Sequence, residues 1–389
     1  MVILLAIIYV TFISLGLPDA VLGSAWPAMY QSLNANVASA GIMSMIICGG
    51  TIISSMFSGK LIAKFGTGKL TTFSVFLTAL ALIGISLSPI FFVMCLWAVP
   101  LGLGAGAVDS ALNNFVALHY KAIHMNWLHC FWGIGATSGP LIISFLLKNQ
   151  FGWRNGYLLI GMIQMVLVII LFLNLNKWMK NSCSQTAEDT GTHGVSIKEV
   201  LEIPGAKSAL VGFLAYCGIE STVSLWGSSY LVFERNMSST VAASWISLFF
   251  IGITFGRFLS GFLSIKLNNQ HLIRIGQVVI FLGVVVMMFF GSDEVQGLSF
   301  ILIGLGCAPI YPSMLHETPQ RFGSRISQSM MGIQMASAYI GSTCIPPIIG
   351  FLATEISFKI FPLSLFLLIL TMNLSYKKIN AVSTETVNM

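Results

Sequence analysis

Forty consecutive residues from Ala20 to Gly59 contain no Asp, Glu, Lys or Arg, and neither do the thirty-nine from Leu70 to Val108. A water-soluble chain cannot clothe itself over such distances without charge. A helix needs about 20 apolar residues to cross a bilayer, so each stretch supplies most of two crossings. Lipid offers no partner to a bare peptide group, which leaves helices as the natural spanning form. Composition agrees, with 56% hydrophobic and 8% charged among 389 residues. The sequence therefore predicts an all-α polytopic membrane protein.

Apolar runs place twelve transmembrane helices at 2–30, 38–62, 69–88, 90–118, 124–147, 153–176, 205–232, 240–264, 271–290, 296–314, 326–352 and 357–376. With both termini cytoplasmic, the inner loops and tail hold fifteen basic residues, Arg257 and Lys266 among them; Lys148, Arg154, Arg235 and Lys359 fall outside. The positive-inside rule then fixes that orientation, in the cell (plasma) membrane. The net charge of +6 is topological and implies no nucleic-acid partner. The first apolar segment begins at Val2 without a charged leader, so a cleavable signal is not expected. Seven cysteines without a CxxC pair argue against a disulfide framework or a metal site. No GxxxxGK[ST] run or cofactor loop is present, so neither ATP hydrolysis nor a cofactor is expected. No nucleophile–base motif suggests an enzyme or a membrane-embedded receptor.

The halves repeat. At an offset of 202, Ser58, Gly59 and Lys64 fall on Ser260, Gly261 and Lys266, and Gly102-Leu103-Gly104 falls on Gly304-Leu305-Gly306. At an offset of 206, Gly135, Pro140, Phe145 and Leu146 fall on Gly341, Pro346, Phe351 and Leu352. This predicts two pseudo-symmetric six-helix bundles, 1–176 and 205–376, a cytoplasmic linker at 177–204 with a short helix around 196–201, and a cytoplasmic tail at 377–389. Six spans, a linker and six similar spans is the layout of a secondary transporter, whose substrate site lies near the midplane between the repeats. A monomer is the expected state.

An ionisable side chain in hydrocarbon is costly, so it marks function by default. Three of the thirteen carboxylates stand inside the apolar runs: Asp19, Asp109 and Glu220. Asp19 follows Pro18 between glycines, a sequence that can break a helix and present a carboxylate at the break; the plainer reading is a helix cap. Asp109 and Asn113 are four apart on a glycine-rich segment and share one face. They could hold a proton or cation and a polyhydroxylated solute, or simply bond helix to helix. Asn126, His129 and Trp132 make a polar and aromatic stripe suited to sugar hydroxyls and C–H faces, or to anchoring at the interface. Glu220 stands near the repeat position of Asp19, with a salt bridge as its rival role, and Tyr311 falls on the repeat position of Asp109. The prolines 309 and 312 flanking it predict a broken tenth helix. Gln334 is a further candidate on the eleventh. Burial favours the neutral form of a carboxylate, which suits these acids to a proton path.

The segment Gly59-Lys60-Leu61-Ile62-Ala63-Lys64-Phe65-Gly66-Thr67-Gly68-Lys69 resembles the signature loop of the major facilitator superfamily, with Ala63 where that loop carries an acid. Within it, Asp19, the Asp109–Asn113 pair, the Asn126 segment running into Gly135-Ala136, and Tyr311-Pro312 followed by Pro347 and Gly350 resemble the fucose:proton symporter family of monosaccharide carriers. That resemblance implies that Asp19 and Asp109 handle protonation and sugar contact. The family has Glu where Asp109 stands, and amide-type residues where His129 and Trp132 stand. Another hexose, or sodium in place of the proton, is compatible. Gly135 to Pro140 also resembles the GxxxGP core of drug or metabolite:proton antiporters, which is the alternative.

Overall fold

A computed structural model describes residues 2–120, 122–179, 197–289 and 292–387. The first span is two helices, α1 (Val2–Asp19) and α2 (Val21–Met29). The next five are α3 (Ser39–Phe65), α4 (Thr67–Leu87), α5 (Phe91–His119), α6 (Ala122–Lys148) and α7 (Gly152–Leu173). Two short helices follow, α8 (Leu175–Met179) and α9 (Ile197–Glu202). The last six spans are α10 (Ala206–Phe233), α11 (Ser239–Leu263), α12 (Asn269–Phe289), α13 (Asp293–Phe322), α14 (Ser324–Glu355) and α15 (Ile360–Val387). Among the described residues, twelve stretches are long and apolar enough to cross a membrane, as the sequence predicts. The expected linker helix is α9; the linker residues 180–196 lie outside the described residues, as does Lys121.

Two compact units result, residues 1–188 with 227–250, and residues 189–226 with 251–389. Within the first, Ser228 Oγ donates to the Ser24 carbonyl at 3.2 Å and Ser144 Oγ to the Thr240 carbonyl at 2.8 Å. The signature segment proves to be two helix ends joined by one residue, Gly66, at φ +81°. A left-handed backbone suits glycine there, and it lets α3 turn into α4 without a loop. Gly323, also at φ +81°, joins α13 to α14 in the same way.

Three expectations need correction. The tenth span, α13, is continuous through Pro309, Pro312 and Pro319. Each proline removes only one donor, leaving the carbonyls of Leu305, Ala308 and Leu315 without their helical partners while the rest of the ladder holds the helix together. Because α13 runs on to Phe322, it also carries a buried carboxylate that the apolar runs did not reveal, Glu317. Arg257 is no loop residue: it lies within α11 and pairs with Glu220.

The C-terminal ends of α5 and α13 occupy equivalent repeat positions and are braced differently. Phe115 and His119 stack at 4.2 Å, and Phe115 meets Trp178 of α8 at 5.0 Å. The equivalent residues at the same offset of 202 are Glu317 and Arg321, an ion pair at 2.7 Å. Tyr376 of α15 donates to Glu317 Oε2 at 2.9 Å, and Arg321 donates to Tyr376 Oη at 3.0 Å and Asn380 Oδ1 at 2.6 Å.

At the end of α4, Arg154 donates to the carbonyls of Ser86 at 2.9 Å and Ser88 at 2.6 Å, with its guanidinium 4.4 Å from the Trp153 ring. A cation there satisfies orphan carbonyls and opposes the negative end of the helix dipole. Arg154→Ala should lower unfolding stability in detergent by about 2 kcal/mol, with Arg154→Lys recovering part; thermal melts that superimpose on wild type would contradict this role.

Candidate functional site

The first unit's site begins at the break between α1 and α2. Pro18 has no N–H, so the carbonyl of Ser14, one turn earlier, lacks its helical donor. Gln164 of α7 supplies one, its Nε2 donating to Ser14 O at 2.8 Å, while its Oε1 accepts from Thr78 Oγ1 at 2.8 Å. Ala20, at φ −97° and ψ −5°, separates the two helices, and the Asp19 carboxylate emerges there. Asp19 is exposed although it lies within a span.

Its partner arrives from α6. Trp132 Nε1 donates to Asp19 Oδ2 at 2.6 Å. Glycines make that reach possible. A Cβ on Gly135 would lie 2.0 Å from the Ile13 carbonyl oxygen, one on Gly139 would lie 2.3 Å from that of Leu17, and one on Gly16 would lie 2.2 Å from that of Trp132. The two backbones touch, as small-residue crossings in membranes allow. His129, one turn before Trp132, is half-buried and presents its ring edge-on to Phe12 of α1 at 6.0 Å. Asn126 lies in the same helix, but its side chain is outside the described residues.

The second acid arrives from α5, wedged between α3 and α4. A Cβ on Gly102 would lie 2.2 Å from the Ile47 carbonyl oxygen and one on Gly104 2.7 Å from that of Ser74. Asp109 and Asn113 do share a face: Asn113 Nδ2 donates to Asp109 Oδ1 at 2.9 Å. Asp109 also lies close enough to Asp19 for their charges to interact. Among the described residues no cation pairs with either carboxylate. Asp19, Trp132, Asp109 and Asn113 therefore form one constellation: two acids, each already holding one neutral donor.

In the second unit Glu220 Oε2 accepts from the Tyr216 hydroxyl at 2.6 Å, and Glu220 Oε1 stands 3.9 Å from Arg257 Nη2. The Tyr311 ring lies 5.2 Å from Phe213 and 6.2 Å from Tyr216, and its hydroxyl donates to Met335 Sδ at 2.9 Å. Gln334 is placed elsewhere, buried and accepting from Thr318 Oγ1 at 2.8 Å. Tyr216, Arg257 and Gln164 escaped the sequence reading. Only Gln164 left a trace, as an amide in an apolar span that a proline's unpaired carbonyl could use.

Known proteins resemble the chain along its whole length. It is 27% identical over 360 residues to the glucose/mannose transporter GlcP of Bacillus subtilis, covering 88% of this chain and 86% of that one. Among solved structures, a bacterial homologue of the human lysosomal transporter Spinster, inward-facing and unoccupied, superposes with a TM-score of 0.75 at 12% identity, over 98% of this chain and 96% of the other. The transporter FucP in its outward conformation superposes with a TM-score of 0.65 at 16% identity, over 96% and 97% of the two chains. At these identities the structures speak for the fold alone. The family model for the Major Facilitator Superfamily matches residues 8–316 and again 208–383. A model that starts anew in the second half is what a duplicated transporter fold should give, and the chain belongs to the Major Facilitator Superfamily.

Proposed function

We propose that this transporter moves a monosaccharide across the cell membrane by alternating access, in symport with protons. The observation that carries the reading is the Asp19 constellation. Two carboxylates without a cationic partner among the described residues interact electrically, and each is held by a single neutral donor. Such acids can gain and lose a proton without dismantling a salt bridge, and Trp132 beside them offers an aromatic face to a sugar ring. Asn113 and His129 supply hydroxyl contacts in the first unit. The similarity to a glucose/mannose transporter favours a hexose. Both termini and the linker at 177–204 are cytoplasmic, and the bundles are 1–176 and 205–376.

Purified protein in proteoliposomes should accumulate D-glucose, D-mannose or L-fucose when the outside is made acidic, and should acidify the lumen as it does so. Accumulation driven by an imposed sodium gradient at constant pH would move the coupling to sodium. Export of lipophilic cations with no sugar uptake would replace this reading with an antiporter of the same superfamily.

A further inference from the structure

Two ion pairs of the second unit are built oppositely. Glu317–Arg321 is short, 2.7 Å, its side chains are 5% and 8% exposed, and further hydrogen bonds from Tyr376 and to Asn380 complete it. That is the geometry of a brace. Glu220–Arg257 is long, 3.9 Å, with side chains 23% and 19% exposed. A separation of 3.9 Å exceeds any direct N–H···O bond, so the pair adds little as a tie. Yet its carboxylate is held firmly. Tyr216 is almost wholly buried, bonds Glu220 Oε2 at 2.6 Å and reaches the Cys307 carbonyl of α13 at 3.0 Å. On the other side Gly256 lets α11 close on α13, since a Cβ there would lie 2.6 Å from that of Ala308, and this sets Arg257 in place.

A donor and an acceptor fixed at this spacing fit one small group between them. One oxygen can lie at hydrogen-bond length, about 2.8 Å, from both ends of such a separation. It must accept from the guanidinium and donate to the carboxylate at once. A hydroxyl can do both; an ether or carbonyl cannot donate, and an ammonium cannot accept. The half-buried Tyr311 ring lies 6.2 Å from that of Tyr216, backed by the buried Phe213 at 5.2 Å, and can offer an apolar face to the neighbouring C–H groups. We infer that Arg257 and Glu220 read a single hydroxyl of the transported sugar by bridging it, with Tyr216 as the positioning residue for the carboxylate. Arg257 thereby becomes a specificity-determining residue. The inference rests on the sugar reading above.

The test is inhibition of uptake in proteoliposomes by monodeoxy and monofluoro analogues of whichever hexose is transported. In the wild type one ring position should stand out, its deoxy analogue competing about tenfold or more weakly. Fluorine, which cannot donate, should not restore it. In Arg257→Met, and in Glu220→Met, which leaves no acceptor, the same analogue should lose less than about threefold against the parent sugar, because the hydroxyl has lost one of its two partners. A bystander ion pair could alter overall uptake but would not erase the penalty at one position. Equal penalties in wild type and variants, or no privileged position in the wild type, would overturn the inference while leaving the sugar reading intact. No uptake of any parent hexose would overturn both. If Arg257→Met fails to fold, Glu220→Met and the wild-type analogue series still decide.

Discussion

Replacing Asp109 with asparagine should reduce proton-driven sugar accumulation from about a hundredfold to about onefold under a gradient of two pH units. Each pH unit is worth 1.36 kcal/mol, a factor of ten in concentration ratio, so a one-proton symporter can reach about a hundredfold and an uncoupled carrier reaches none. The fold should survive. Asn113 Nδ2 donates to Asp109 Oδ1 at 2.9 Å, and the amide oxygen of an asparagine can accept that bond in its place. The substituted residue mimics a permanently protonated acid. Steps that need the proton released should therefore stop, while exchange of internal for external sugar, which needs no release, should continue. Uptake against a gradient by folded Asp109→Asn protein, with lumen acidification intact, would remove Asp109 from the coupling path.

The largest structural effect is expected at the crossing of α1 and α6. In Gly135→Ala the new Cβ would lie 2.0 Å from the Ile13 carbonyl oxygen, 2.9 Å from Ile13 C and 3.0 Å from Leu17 N. All three are backbone atoms, so no side chain can step aside and the helices must part. Overpacking of this kind costs about 3 kcal/mol. Separation would also draw Trp132 away from Asp19, so residual folded protein should show weakened uptake. The matched control is Gly49→Ala in α3, where a Cβ meets nothing within 4 Å and helix propensity should rise. Equal melting temperatures for the two variants would refute the close crossing.

The sequence made some of this legible and hid the rest for identifiable reasons. Charge-free stretches announce spans by their cost in lipid, so the twelve crossings and the acids Asp19 and Asp109 stood out. The break at Asp19 could be read because proline removes a donor and glycines flank it. The same logic failed at Tyr311, where prolines 309 and 312 leave α13 continuous, because losing one donor does not by itself oblige a long helix to break. Arg257 read as one more cytoplasmic charge near a span end. Its meaning depends on Glu220, a whole helix away, and on Gly256 bringing α11 against α13. Glu317 was missed for a similar reason: a polar helix end looks like a loop until Tyr376 and Arg321 are seen to enclose it. Tyr216 carried no signal, since one more aromatic in an apolar run reads as packing.

The unlike braces at the ends of α5 and α13 give the duplicated halves unlike responses to heat. The penalty for stripping water from charges falls as temperature rises, whereas apolar burial gains little further. Glu317, Arg321, Tyr376 and Asn380 should thus hold their helix ends together on warming. The ring contacts of Phe115 with His119 and Trp178 gain little from the same change. The two bundles of a duplicated fold should then differ in thermal character, with the helix end of the first half expected to loosen first.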